Sequence, residues 1–154
     1  MPRVRGRIAI AVLLVFAAMQ LYQPKQGDAR RPKGKAHIEN TGPIPARVAS
    51  VLQRACYDCH SNATDYPLYA YVQPVGWWLE GHITRGREQL DFSAFGGYSR
   101  RRQASKMDAI AGQVKSGAMP PQAYSLMHKQ ARLTPGDVKA IAEWAEALQD
   151  SLSK

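Results

Sequence analysis

The segment Cys56-Tyr57-Asp58-Cys59-His60 sets two thiols three positions apart and places an imidazole directly after the second. Three chemistries use such a group. A structural zinc site needs four protein ligands. The chain holds two cysteines and four histidines, and no two histidines stand at the short spacing that would complete the set. A thiol–disulfide site normally sits beside a βαβ pattern, which is missing here. A disulfide across two intervening residues would constrain little chain. Covalent haem accounts for all three side chains together. Each thiol can add to one vinyl group of the porphyrin, and the two-residue spacer suits the separation of the vinyls. The adjacent imidazole then lies under the iron as proximal ligand. The expected cofactor is one haem c, attached at Cys56 and Cys59 and ligated by His60.

The sixth iron position needs a second donor. Met119 is the favoured one: its thioether is a soft ligand that favours ferrous iron. It stands before Pro120-Pro121, whose fixed φ angles and missing N–H groups stiffen the loop. Met107 reads as core, and Met127 has no comparable turn after it. His128 and His82 are the alternatives, with an open position as a fourth case. His82 falls on what reads as the buried stripe of a helix. Trp77, Trp78, Tyr66, Tyr69 and Tyr71 crowd one stretch and are expected to wall the porphyrin. Arg54, Arg85 or Arg87 are candidates for its propionates. Nothing resembles a nucleophile with a base, or a working pair of acids, so an enzyme is not expected.

These residues must be positioned by helices. Pro45 opens a pattern with Val48, Val51, Leu52 and Ala55 on one face. Pro74 fits the first turn of a second helix, with Trp78, Leu79, His82 and Ile83 at helical spacing. Phe95-Gly96-Gly97 breaks the chain. Ser99 begins a third helix carrying Met107, Ile110, Ala111 and Val114, and Gly117 is placed to end it. Thr134-Pro135-Gly136-Asp137 reads as a capped start for the last helix, with Val138, Ile141, Ala142, Ala145 and Leu148 as its apolar face. No alternating strand pattern and no internal repeat occurs. The predicted class is all-α, a cytochrome c-like helical domain with an N-terminal apolar helix and a flexible tether.

The 154 residues carry a formal charge of +9. Residues 1–35 hold eight Lys/Arg and one Asp, while residues 36–154 hold thirteen Lys/Arg and eleven Asp/Glu. A nearly neutral domain argues against a nucleic-acid reader. The run Arg100-Arg101-Arg102 reads as a solvated helix start. Arg3, Arg5 and Arg7 precede an apolar run from Ile8 that fades at Tyr22, the pattern of a secretory leader. As a helix, residues 8–22 would rise about 22 Å, short of a ~30 Å hydrocarbon core. No clear cleavage site follows, so an uncleaved anchor is favoured over a signal peptide for residues 1–22. Residues 23–43 read as a flexible basic linker with His37 exposed in it, and residues 44–154 as the haem domain. Five basic residues follow the apolar run and three precede it, which by charge alone would put the following flank in the cytoplasm. Haem attachment of this kind takes place outside the bacterial cytoplasm, which points instead to the periplasmic side of the inner membrane.

From about residue 40 the chain resembles a bacterial haem-binding domain family within the c-type cytochromes. The matching stretches are CYDCHSNATDYPLYAYVQPVGWWLEGHI (56–83), LDFSAF (90–95), MPPQAYSLMHKQARLT (119–134) and IAEW (141–144). His128 lies in one of them. The resemblance implies haem c binding and, by extension, electron transfer to redox partner proteins. The resulting expectation is a membrane-tethered, periplasmic, single-haem electron carrier. A haem enzyme or gas sensor with an exchangeable sixth ligand, or a structural haem subunit of a respiratory complex, stands as the alternative.

Overall fold

The computed structural model describes residues 2–24 and 34–154. Its helices are α1 (Pro2–Met19), α2 (Ala46–Ala55), α3 (Tyr57–His60), α4 (Val75–Gln89), α5 (Arg100–Lys115), α6 (Gln122–Met127) and α7 (Pro135–Ser153). Among the described residues there is no strand, as the all-α expectation requires.

Three amphipathic helices make the main core. Val48, Val51, Leu52 and Ala55 of α2 are buried against Met107, Ile110, Ala111 and Val114 of α5 and Ile141, Trp144 and Ala145 of α7. Burying each larger side chain contributes roughly 1.5–3 kcal/mol. Tyr57, Phe92 and Phe95 close the same core. A smaller cluster lies apart, built on Ala70 and on Leu79 and Ile83 of α4. The four-residue α3 stands between the two, with Tyr57 packed into the first and Cys59 against the second.

The helix ends follow local chemistry. The Ser99 hydroxyl accepts from the Arg102 N–H and caps α5. Gly117, the only positive-φ residue among those described (φ 71°), lies just past the end of α5. At the start of α7, Thr134 and Asp137 cap each other's backbone N–H groups, with Pro135 in the first turn. Asp137 also accepts from Arg47 and Arg54 of α2, so one carboxylate joins two core helices. The Thr134 N–H is the foremost cause holding its carboxyl down at about 2. The Thr134 hydroxyl and both guanidiniums assist, against the upward push of burial.

Several expectations need correction. Residues 34–43, part of the expected 23–43 linker, belong to the folded unit: Ile38 is wholly buried and its N–H donates to Phe92 O at 2.8 Å. His37 is buried rather than exposed, and meets the Tyr57 ring edge-on. Residues 25–33 of the expected linker lie outside the described residues. On α4 the buried face is Gly76, Leu79 and Ile83, whereas Trp78 and His82 are exposed. The apolar positions alone were compatible with either neighbouring stripe, and packing on Ala70 selects one.

Helix α1 projects apolar side chains on all sides, with the large ones from Val4 to Phe16 exposed by 45–65 %. No helix among the described residues is long and apolar enough to cross a membrane.

Candidate functional site

His60 sits at the end of α3, and a distant segment fixes it from two directions. Its Nδ1 lies 3.0 Å from Leu90 O, an atom that can only accept, so Nδ1 carries the proton. The Phe92 N–H donates back to His60 O at 2.7 Å, and the Phe92 ring packs edge-on to the imidazole at 6.2 Å. Nε2 is left with its lone pair, the form a metal ligand needs, and the carbonyl holds the ring's orientation. Ser93 extends the bracket: its hydroxyl accepts from Asn62 N–H and donates to Asn62 Oδ1.

Helix α4 supports the motif from the other side. Gly86 lies against it so closely that a Cβ would come within 2.8 Å of Cys59 O and 3.5 Å of His60 Cε1. Arg87 donates to Ser61 O and Thr64 Oγ1, both at 2.7 Å. The turn that follows the imidazole is therefore held as firmly as the imidazole itself.

His60 opens onto a cavity of about 250 Å³. Its walls are largely apolar, with Leu52, Ile110, Val114 and Ile141 contributing from the three core helices. Cys56 and Met119 line the same space. The structure thus brings three of the four predicted site residues together. Cys59 is not in this lining and packs with Tyr66 and Tyr69 beside the smaller cluster. Both cysteines are free thiols. Burial, then the neighbouring Cys59, pushes Cys56 up to about 12 against the pull of Arg54. Burial and Asp58 raise Cys59 to about 11, against Arg87.

The alternative iron donors lie elsewhere. His128 stacks on Tyr124 at 4.3 Å, its Nε2 is 2.6 Å from the Tyr69 hydroxyl, and its Nδ1 is 3.4 Å from Gln130 Nε2. Both ring nitrogens are engaged. His82 packs at a tilt against Trp78, ring centroids 4.1 Å apart, on the outer face of α4, with Nδ1 3.0 Å from Trp78 O. Neither lines the cavity. Met107 is fully buried core, as its position on α5 predicts.

The expected aromatic wall is not where the tyrosines and tryptophans stand. Tyr66 donates to Glu80, Trp77 donates to Tyr22 O, and none of the five aromatics lines the cavity. Tyr66 and Tyr69 pack with Cys59 behind the motif, whereas Tyr71 and Trp78 are exposed. The arginines proposed for propionates are also committed: Arg54 to Gln130 O, Arg132 O and Asp137, Arg87 to the turn after His60, and Arg85 to His82. Gln89, Lys106 and Gln113 supply the polar lining in their place, with Lys106 the only Lys or Arg of that lining among the described residues. Residues 106, 110, 113 and 114 share one face of a helix, so projecting the third helical pattern from Ile110 would have found Lys106 and Gln113.

The residues present fit a haem. An apolar cleft, a thiol beside it, an imidazole with Nε2 free and a thioether in the same lining match the donors and walls that such a group requires. Among the described residues no three His, Cys, Asp or Glu side chains converge on a point that could hold a metal ion. The model of a family described as haem-binding domain matches residues 14–147. No curated protein and no solved structure matches the chain.

Proposed function

Because the chain belongs to the haem-binding domain family, we propose that it is a single-haem c-type cytochrome that carries electrons. The observation that carries this reading is the shared cavity of Cys56, His60 and Met119, with His60 Nδ1 bound to Leu90 O. His60 would hold the iron through Nε2 and Met119 through its sulfur. Cys56 and Cys59 would attach by adding S–H across a vinyl double bond: sulfur bonds one carbon, hydrogen goes to the other, and no electrons are exchanged. Lys106 would face a propionate. The bound group supplies reversible one-electron exchange at iron. The apolar cleft would shield the bound group from water, and Leu90 O would hold the His60 ring in one orientation, which would limit rearrangement on a change of charge.

Location is part of the proposal. Helix α1 is apolar around its whole circumference past Arg7 and has no packed face, which supports its placement in a lipid phase. Attachment chemistry favours the side of the inner membrane away from the cytoplasm.

Acid–acetone extraction of the matured protein tests attachment. Haem should stay with the polypeptide in the wild type and also in Cys59→Ala, held there by Cys56. It should leave the Cys56→Ala/Cys59→Ala pair. Haem that extracts freely from the wild type contradicts the proposal. One observation favours a second reading, a haem enzyme or gas sensor: Met119 is 38 % exposed, on a loop at the cavity edge. Carbon monoxide binding to ferrous wild-type protein would support that reading over the carrier.

A further inference from the structure

Residues 20–23, which directly follow α1, are tied to the domain. Gln20 Nε2 donates to Gln73 O at 3.1 Å, and Gln73 N–H donates back to Gln20 Oε1 at 2.9 Å. Gln73 Nε2 donates to Gln23 Oε1 at 2.8 Å, Gln23 Nε2 to Tyr71 O at 3.3 Å, and Trp77 Nε1 to Tyr22 O at 2.9 Å. Gln73, the hub of this ladder, is fully buried. Around the ladder the surface is apolar and uncovered: Leu21 and Leu68 are each 88 % exposed, and Tyr22, Tyr71, Val72, Val75 and Trp78 are exposed as well.

We propose that residues 68–78, with Leu21 and Tyr22, form a second membrane contact, seated in the interfacial layer of the bilayer that takes α1. The proposal rests on the reading of α1 as a lipid-embedded helix. Five hydrogen bonds fix residues 20–23, which directly follow that helix, to residues 71–77. Inserting α1 therefore brings these side chains to the depth at which the helix emerges. Tyrosine and tryptophan favour that depth, where a ring can be apolar on its body and wet at its tip. The outer face of α4 continues the gradient. Trp78 packs at a tilt against His82, and Arg85 follows one turn on, 3.3 Å from His82 Nδ1. The order indole, imidazole, guanidinium runs from the apolar patch toward a cation suited to anionic headgroups.

The test uses the full-length holoprotein in vesicles of phosphatidylcholine and phosphatidylglycerol doped with a lipid that bears a photoactivated carbene precursor near its carbonyl groups. Adducts are mapped by peptide mass spectrometry. Adducts are expected in α1 and also in residues 68–78. The variant Leu68→Ser/Tyr71→Ser/Trp78→Ser replaces only exposed side chains, so its haem spectrum should be unchanged. It should lose the adducts in 68–78 while keeping those in α1. Adducts confined to α1 would overturn the second contact and leave the anchor standing. Adducts in neither segment would overturn both. Crosslinks between two copies of the chain through 68–78 would make this face a protein interface and overturn the lipid assignment.

Discussion

His60 owes its usable nitrogen to a carbonyl thirty residues away. The motif itself was plain in the sequence because its signal is local, two thiols and an imidazole within five positions. The bracket from Leu90, Phe92 and Ser93 was not, although LDFSAF was visible as a string. Its role depends on backbone atoms that no residue type announces. Met119 was legible as a ligand candidate from its loop and prolines, and the cavity lining is consistent with that choice. Met119→Ala should remove the weak far-red sulfur-to-iron band of the ferric protein and let ferrous iron bind carbon monoxide. It should also lower the potential, on the order of 100 mV. Optical titration against redox mediators checks all three. If the wild type lacks the band and His128→Ala alters the spectrum instead, the sixth ligand is His128. Gly86 makes a second residue-level prediction. The nearest atom to an added Cβ is the backbone oxygen of Cys59, which cannot swing aside. Gly86→Ala should destabilise the holoprotein by about 1–3 kcal/mol, measured by denaturant titration.

Among the helices, α7 was the most readable and α4 the least. The start of α7 is written in residues three apart, Thr134 and Asp137, and its apolar face repeats without interruption. On α4, Trp78, Leu79, His82 and Ile83 form two adjacent stripes of similar character, and only Ala70 and Gly76 decide which is buried. The cap on α7 also gives stability a dependence on acid. The Asp137 carboxyl lies at about 2 in the folded protein and near 3.8 when free. A depressed carboxyl contributes stability that is full above its free value and fades as pH falls through its folded one. The contribution is roughly 2 kcal/mol. Urea midpoints between pH 6 and pH 2 should fall for the wild type. Asp137→Asn should start lower by a comparable amount and show a shallower decline over that range.

At the scale of the whole molecule, the domain begins earlier than its composition suggests. Residues 34–43 are polar and show no periodicity, so their two core contacts, Ile38 and His37, carried no pattern to read. A chain beginning at residue 44 should be less stable than one beginning at residue 34 by about 2–5 kcal/mol, the cost of emptying the Ile38 site; thermal unfolding of the two holoproteins measures it. The same two contacts bear on reach. A free tether over 23–43 would let the haem domain wander roughly 25 Å from α1. Here Gln23 is bonded to Tyr71 and Gln73, and Ile38 is bonded to Phe92. Gln23 and Ile38 are thus both bonded to one body, and their separation is set by that body. A leashed carrier finds its partner by sweeping a volume. A pinned one, were α1 seated in lipid as proposed, would offer a single aspect at a set height, and its encounters would become a two-dimensional search in which the partner arrives already facing the Met119 edge.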